Sequence, residues 1–372
     1  MTKFGKHPDL SLEALGFEAA GQAMRDAGVR PADIQAAYCA SALAPQLLGE
    51  FTMGQKIFWE LGINKIPVVN VENACTSGST GFYLACLAIK AGAVDMALVL
   101  GVEKMYTRVK KILDAGATDL ETKLGFIVPG TFAMRARSYI SKYGLTPEDL
   151  ALISVKNRRH GFLNPNAQFR EQVTVEDVLS SPMIADPLTR LSCCPQGDGA
   201  AAVVLCRADL ARSLNTRTVN VATSVLMSGS YDNPPHLDSW PTDMRAVEKA
   251  YGEAGIGPED LHVIELHDAF TIAELIHYEG LGLCPAGGGG ELLKGGHTSL
   301  GGRIPVNPSG GLLSRGHPVG ATGVAQLVEI VTQLRGEAGP RQVPNARVGM
   351  AHCMGGDLQG DTRSVTINIL TV

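Results

Sequence analysis

The chain has 372 residues, 45% hydrophobic and 19% charged, with 43 Gly and 20 Pro scattered along it. That length accommodates two ordinary domains or one large duplicated α/β unit, and the composition excludes collagen-like, coiled-coil and disordered classes. A net charge of -5 without a Lys/Arg block argues against nucleic acid and anionic membrane as partners, and no run approaches the roughly 18 apolar residues of a membrane span.

The opening MTKFGKHPDL lacks the apolar stretch of a signal peptide, so a cytoplasmic location is expected. The eight Cys include an adjacent Cys193-Cys194 pair and no C-x-x-C, so reduced thiols are expected. A helix is expected over about Leu12 to Ala27, followed by Ala27-Gly28-Val29-Arg30-Pro31-Ala32-Asp33-Ile34. A similar run returns far along the chain as Ala254-Gly255-Ile256-Gly257-Pro258-Glu259-Asp260-Leu261. Glycine closing a helix and Pro opening the next turn is common punctuation, so this match by itself is weak.

A second match follows in the same order. Cys75-Thr76-Ser77-Gly78-Ser79-Thr80-Gly81 corresponds to His317-Pro318-Val319-Gly320-Ala321-Thr322-Gly323, each leading into a helix-length segment that is apolar nearly all round. Such helices are expected to be buried on every side, packed together in the middle of a layered molecule. Strand candidates follow each helix: Met96 to Leu100 and Val348 to Ala351, then Ala200 to Leu205 and Ser364 to Leu370. Short apolar runs alternating with helices predict two mostly parallel sheets with covering helices. The second half opens on a further strand candidate, Val219 to Met227, whereas the first half offers only Met1 to Gly5 before its helix. Either that strand is lacking or the true start lies upstream, and the second alternative is the expectation here.

Residues 103–195 have no counterpart in the second half and form an insertion carrying Arg135, Arg137, Lys156, Arg158 and Arg159. These are either a solvated helix face or contacts for a phosphate-bearing ligand. The glycines from Gly287 to Gly290 lack the strand, Lys and Ser/Thr context of a phosphate loop and are expected to be a plain loop.

At the start of a buried helix, the Cys75 sulfur meets unpaired N–H groups that favour thiolate. A His at the matching position of the partner helix sets a base opposite a nucleophile. His267, in Glu265-Leu266-His267-Asp268-Ala269-Phe270, and Cys353, before Met354-Gly355-Gly356, each end a strand, where loops build sites.

Taken together, NACTSGSTG, HDAF, NPSGGLLSRGHPVGATG and HCMGG resemble the thiolase superfamily, and CCPQGDGAAAVVL fits its sterol-carrier-protein-type, acetyl-CoA acetyltransferase-like branch. The resemblance implies an α/β thiolase fold: two pseudo-symmetric βαβαβαββ halves in a five-layer αβαβα sandwich. The halves would be 1–102 plus 196–212 and 213–372, with 103–195 as an inserted loop domain for coenzyme A and substrate. It implies Cys75 as the acylated nucleophile, His317 as its base and Cys353 as the acid/base for the α-proton. His267 stands where biosynthetic thiolases carry the Asn of an NEAF motif, so its role can depend on pH. One oxyanion hole would use His317 and a water held by His267, the other the N–H groups of Cys75 and Gly355. Ser309, Gly310, Gly311, Arg135 and Arg158 are the implied contacts to coenzyme A, which enters as substrate; no permanent cofactor or metal is expected. A homodimer is implied, with a small zinc-ribbon/OB-fold protein as a further partner. The expected reaction is cleavage of a 3-ketoacyl-CoA with coenzyme A, or the reverse Claisen condensation, on a bulky or aromatic acyl group such as benzoylsuccinyl-CoA. Two alternatives remain: a ketoacyl-synthase-type condensing enzyme, which needs no second thiol, and a non-catalytic acyl-CoA-binding subunit. A zinc site built from Cys75, Cys353, His267 and His317 lacks the short ligand spacing of structural zinc.

Overall fold

Two four-stranded sheets carry the fold of this computed structural model, which describes residues 1–106, 120–214, 216–230, 237–358 and 360–372. The first contains β1 (Ala36–Ala40), β2 (Val68–Val71), β3 (Met96–Lys104) and β4 (Asp198–Cys206) in the order β2-β1-β3-β4. β1 is parallel to β2 and β3, and β4 is antiparallel to β3. The second contains β5 (Asn220–Ser228), β6 (Val263–Glu265), β7 (Val348–Met354) and β8 (Ser364–Thr371) in the order β5-β8-β7-β6. β6 is parallel to β7, and β8 is antiparallel to β7 and β5. A parallel bridge from Ile264 to Val306 continues this sheet past β6, matching β2 beside β1.

The ladders agree except at one edge. β8 pairs with β5 along its length, whereas among the described residues the first residues of the chain border that side of β4. Thr2 donates its N–H to Ala200 O at 2.9 Å, while Gly5 and Asp198 exchange backbone bonds of 3.1 and 2.7 Å.

Five layers follow from which face each strand residue offers. α1 (Leu12–Ala27) and α2 (Met53–Glu60) cover the outer face of the first sheet, where Leu15, Ile57 and Phe58 meet Leu98 and Leu100. The alternating residues Ala97 and Val99 face inward onto α3 (Ser77–Lys90) and α9 (Val319–Arg335), which form the middle layer. Val263 and Ala351 of the second sheet pack on the other side of that layer. Beyond them, α6 (Pro241–Ala254) and α7 (Thr271–Gly280) cover the far face, joined by α4 (Val128–Tyr143) and α5 (Pro147–Phe162) from the segment between β3 and β4. A last short helix, α8 (Gly311–Ser314), precedes α9. The αβαβα sandwich expected from the motifs is therefore the observed architecture.

The weak repeat proves to be the same local structure twice. α1 and α6 end on Gly28 and Gly255, both left-handed with φ of 67° and 64°, a conformation that costs glycine little. Each leads into a single 3₁₀ turn, in which Asp33 accepts from Arg30 N–H and Asp260 from Gly257 N–H, both at 2.8 Å. The glycines of the stronger repeat serve close approach. A Cβ on Gly78 would lie 2.6 Å from the Gly320 carbonyl oxygen, and one on Gly323 would lie 2.7 Å from Ser79 Oγ. Three expectations fail in part. The second sheet pairs mostly antiparallel rather than parallel. Gly289 and Gly290 open a short helix, Gly289–Lys294, rather than lying in a plain loop. And α3 is not buried on every side, because Leu87 near its end is 45% exposed.

Candidate active site

Cys75 sits one residue outside the N-cap of α3, which is Thr76, and not within the first helical turn. The preceding turn is tight. Ala74 takes a left-handed φ of 48°, uncommon for a residue with a Cβ and of a kind concentrated at functional sites. The Asn73 carbonyl holds the turn closed by accepting from the N–H of Thr76 at 3.1 Å and its hydroxyl at 2.6 Å. His317 occupies the same position relative to α9, one residue before the N-cap Pro318. The sequence repeat thus becomes a spatial one.

Burial opposes the thiolate expected from helix placement. Burial pushes the Cys75 thiol up to about 12, with the Glu103 carboxylate adding to the rise, so the sulfur needs a base. His317 is suited to that task. Burial, and then the nearby Arg315 charge, lower it to about 3 and keep the ring neutral. Its Nδ1 lies 2.7 Å from Thr322 Oγ1, whose own proton goes to the Pro318 carbonyl at 3.0 Å. Thr322 can therefore only accept, so Nδ1 carries the ring proton and Nε2 is left bare.

Cys75, His267 and His317 each bring one donor atom within 4.8 Å of the other two. The His267 and His317 rings meet edge to face at 5.2 Å between centroids. Cys353, in the last residues of β7 and not beyond its end, donates its S–H to the Cys75 carbonyl at 3.1 Å and stands 3.5 Å from His267 Nδ1. Burial raises the Cys353 thiol and lowers the His267 imidazole, so all four side chains rest uncharged at neutral pH. A thiol, two neutral imidazoles and a second thiol converge where the two halves meet.

Gly355 is placed differently from expectation. Its N–H is taken by the Ser364 carbonyl at 2.7 Å, so the pairing of Cys75 and Gly355 amides as an oxyanion hole is not what this arrangement shows. Its visible requirement is steric, because a Cβ there would lie 2.1 Å from Ser364 Oγ.

The residues expected to touch coenzyme A are also spent internally. Ser309 is fully buried and donates N–H and O–H to Glu265 at 3.0 and 2.7 Å. Gly310 and Gly311 permit close packing, since a Cβ would lie 2.6 Å from Gly161 Cα in one case and 2.3 Å from Asp268 Oδ2 in the other. The Arg135 guanidinium is buried against Asp357 at 2.7 Å and over the Trp240 ring at 4.3 Å. Arg158, 6% exposed, lies over Phe169 at 4.2 Å, with Glu171 at 3.6 Å. Burial of such groups calls for partners of this kind within the protein.

Sequence reasoning missed the carboxylates that set the site. Glu103, fully buried, accepts from Ser41, from the N–H groups of Ala42 and Leu43, and from Gly320 N–H at 2.9 Å, so it joins the first sheet to the turn after His317. Asp268 accepts from Leu312 and Leu313 N–H at 2.7 and 3.2 Å and from Asn157 at 2.8 Å, fixing the loop that carries His267. The His267 N–H donates to His352 Nδ1 at 3.3 Å. The His352 proton is then on Nε2, facing Asp243, which also accepts from His277 Nδ1 at 2.6 Å. The acidic residue of HDAF, directly after a candidate catalytic His, was the one available signal for any of these.

Comparison with known proteins agrees with this geometry. The family descriptions "Thiolase, N-terminal domain" and "Thiolase C-terminal domain-like" match residues 1–209 and 239–368. The chain is 40% identical to the benzoylsuccinyl-CoA thiolase subunit BbsB of Thauera aromatica, over 95% of this chain and 92% of that one. It is 41% identical to an acetyl-CoA acetyltransferase of Methanothermobacter thermautotrophicus, over 98% and 96%. It is also 38% identical to sterol carrier protein 2 of Bos taurus, over 95% and 68%. Among solved structures, an Ltp2-ChsH2(DUF35) aldolase superposes with a TM-score of 0.86 at 25% identity, covering 100% of this chain and 95% of that one. Human mitochondrial 3-ketoacyl-CoA thiolase in complex with CoA shares the fold, with a TM-score of 0.75 at 17% identity over 100% and 96%. With Cys75 and His317 at matched helix starts and both halves of the chain accounted for, this protein belongs to the thiolase superfamily.

Proposed function

We propose that the chain is a thiolase-type acyltransferase that cleaves a 3-ketoacyl-CoA with coenzyme A, or runs the reverse condensation, through an acyl-enzyme on Cys75. The convergence of Cys75, His267, His317 and Cys353 carries this reading. His317 Nε2 takes the Cys75 proton as sulfur attacks the keto carbon. The bond between C2 and C3 breaks, its electrons pass to the departing enolate, and Cys353 gives that carbanion a proton. The thiol of coenzyme A then attacks the Cys75 thioester and hands its proton to Cys353, while the released Cys75 sulfur recovers its own from His317. Both thiols and the imidazole return to their starting states. His267 lies beside both sulfurs and holds the water or hydrogen bond that stabilises the enolate oxygen, with the Cys75 N–H serving the acyl oxygen.

Cys353 favours this reading over a ketoacyl-synthase-type enzyme, which requires one thiol, and a reactive-thiol assay on Cys75 separates it from an acyl-CoA-binding subunit without catalysis. A bulky or aromatic acyl group is proposed from the 40% identity to a benzoylsuccinyl-CoA thiolase subunit. That relative is named as a subunit and the aldolase structure as a two-component protein, which supports assembly with a small zinc-ribbon/OB-fold partner as well as with a second copy of this chain. The proposed location is the cytoplasm, and coenzyme A enters as substrate.

The deciding measurement is intact-mass spectrometry after mixing with acetyl-CoA and a panel of larger acyl-CoAs, beside Cys75→Ser. One acyl adduct per chain, lost in the variant, is expected. No adduct from any member of the panel overturns the acyl-enzyme.

A further inference from the structure

Behind Cys75, His267, His317 and Cys353 lies a second group of titratable side chains that the proposed reaction does not use. Neighbouring residues of a strand turn to opposite faces. In β7, Cys353 therefore looks into the middle layer toward Cys75, while His352 looks outward with Met350 and Met354, under α6 and α7. There Asp243, in the first turn of α6, meets His277 of α7 and His352, all three buried. Asp243 Oδ2 accepts from His277 Nδ1 at 2.6 Å and faces His352 Nε2 at 3.4 Å, where the contact acts through charge. The His277 ring stacks on Trp240 at 4.7 Å between centroids and meets the His352 ring edge to face at 4.3 Å. Burial raises the Asp243 carboxyl, but His277 and then His352 hold it well below the usual carboxylate range, so it is ionised.

A buried carboxylate decides which nitrogen of a facing ring keeps its proton. Here it draws the His352 proton to Nε2, and the bare Nδ1 accepts from the His267 N–H at 3.3 Å. The adjacent N–H groups of that loop are held without a titratable side chain. Leu266 donates to Asn307 Oδ1 at 2.9 Å and Asp268 to the Leu266 carbonyl at 3.2 Å. With its proton on Nδ1 instead, His352 would meet the His267 N–H donor to donor.

We infer that Asp243 and His352 are a positioning pair: the carboxylate fixes the His352 tautomer, and that tautomer holds the main chain of His267 so that its ring stays beside both sulfurs. The consequence for catalysis rests on the acyl-enzyme reading. There His267 serves the enolate, whereas the His317 tautomer is set by Thr322, so the pair governs the carbon–carbon step and not the reactivity of Cys75. Asp243, His277 and His352 also bring one donor atom each within 4.8 Å of the other two, a spacing that suits a cation. A cation would take the Nε2 lone pair and send the His352 proton to Nδ1, against the His267 N–H.

The test is Asp243→Asn, whose amide can donate to His352 Nε2 and so permits the other tautomer at nearly unchanged shape. The His267 amide is expected to exchange about tenfold faster, with the Leu266 and Leu312 amides unchanged. Nitrogen NMR of histidine-labelled protein is expected to show His352 passing from Nε2–H to Nδ1–H. Thiolysis of acetoacetyl-CoA and longer 3-ketoacyl-CoAs is expected to lose about tenfold in kcat with KM within about twofold, while iodoacetamide alkylates Cys75 at its former rate. An unchanged His267 amide with an unchanged His352 tautomer overturns the proposal, whatever the activity. So does one equivalent of bound zinc that His277→Gln loses. A loosened His267 amide in a protein that turns over no acyl-CoA upholds the pair and removes only the acyl-enzyme reading. Where Asp243→Asn does not fold, two variants at position 352 decide. His352→Asn offers an oxygen to the His267 N–H and should keep that amide protected, whereas His352→Leu should expose it; equal protection in both overturns the proposal.

Discussion

At the scale of single residues, the site works by suppressing charge. Cys75, Cys353, His267 and His317 are all driven to their neutral forms by burial, and the proton that must leave Cys75 has one bare nitrogen to go to. Thr322 assigns that nitrogen by spending its own proton on Pro318. Thr322→Val removes the acceptor for His317 Nδ1–H and frees the ring to change tautomer. Iodoacetamide alkylation of Cys75 at pH 8 should slow about tenfold, the worth of one buried hydrogen bond. An unchanged rate with an unchanged fold would sink the tautomer assignment.

At the scale of elements, the two central helices meet through glycines, which lets the ends bearing Cys75 and His317 approach. A Cβ on Gly320 would lie 2.6 Å from Ser41 Cα and 3.0 Å from the Ala40 carbonyl, backbone that has no room to yield. Gly320→Ala should therefore cost about 1–3 kcal/mol in urea denaturation and separate Cys75 from His317. Gly252, inside α6, offers the contrast, because nothing lies within 4 Å of its Cβ position and its φ is not positive. Gly252→Ala should stabilise by about 0.5–1 kcal/mol through helix propensity and a less flexible unfolded chain. If both substitutions shift stability in the same direction, close approach is not what the Gly320 position demands.

For the molecule as a whole, neutral buried imidazoles set an acid limit. Burial lowers His160 and His317 from 6.5 to about 3. In His160 both nitrogens are in use, Nδ1 donating to Asn307 O at 3.0 Å and Nε2 accepting from Leu300 N–H at 3.1 Å, so a second proton would break a bond. Between pH 6.5 and 3 the unfolded chain binds protons that the folded chain refuses. The contribution of these rings to stability is therefore complete above pH 6.5 and falls as pH drops toward 3. The share of each of these two rings in the unfolding free energy from urea titrations should fall by about 1.4 kcal/mol between pH 7.5 and pH 5.5, so His160→Gln should flatten the profile by about that amount. A flat profile over that interval would show that these rings are not held neutral.

How much of this was legible beforehand depended on the range of the interaction concerned. Helix ends marked by Gly28 and Gly255, alternating strands, and the match of Cys75 with His317 are local patterns, and they determined the two halves, the layered fold and the meeting of that Cys with that His. What the chain could not announce was where each buried polar group finds its partner. Arg135, Arg158 and Ser309 read as ligand contacts because charge and hydroxyl suggest it, yet they lie beside Asp357, Glu171 and Glu265, distant in sequence and adjacent only after folding. The Gly355 amide and the Cys75 thiol illustrate the same division. Their residue types were fixed by the sequence, but the Ser364 carbonyl that claims one and the desolvation that protonates the other exist only once both halves have packed.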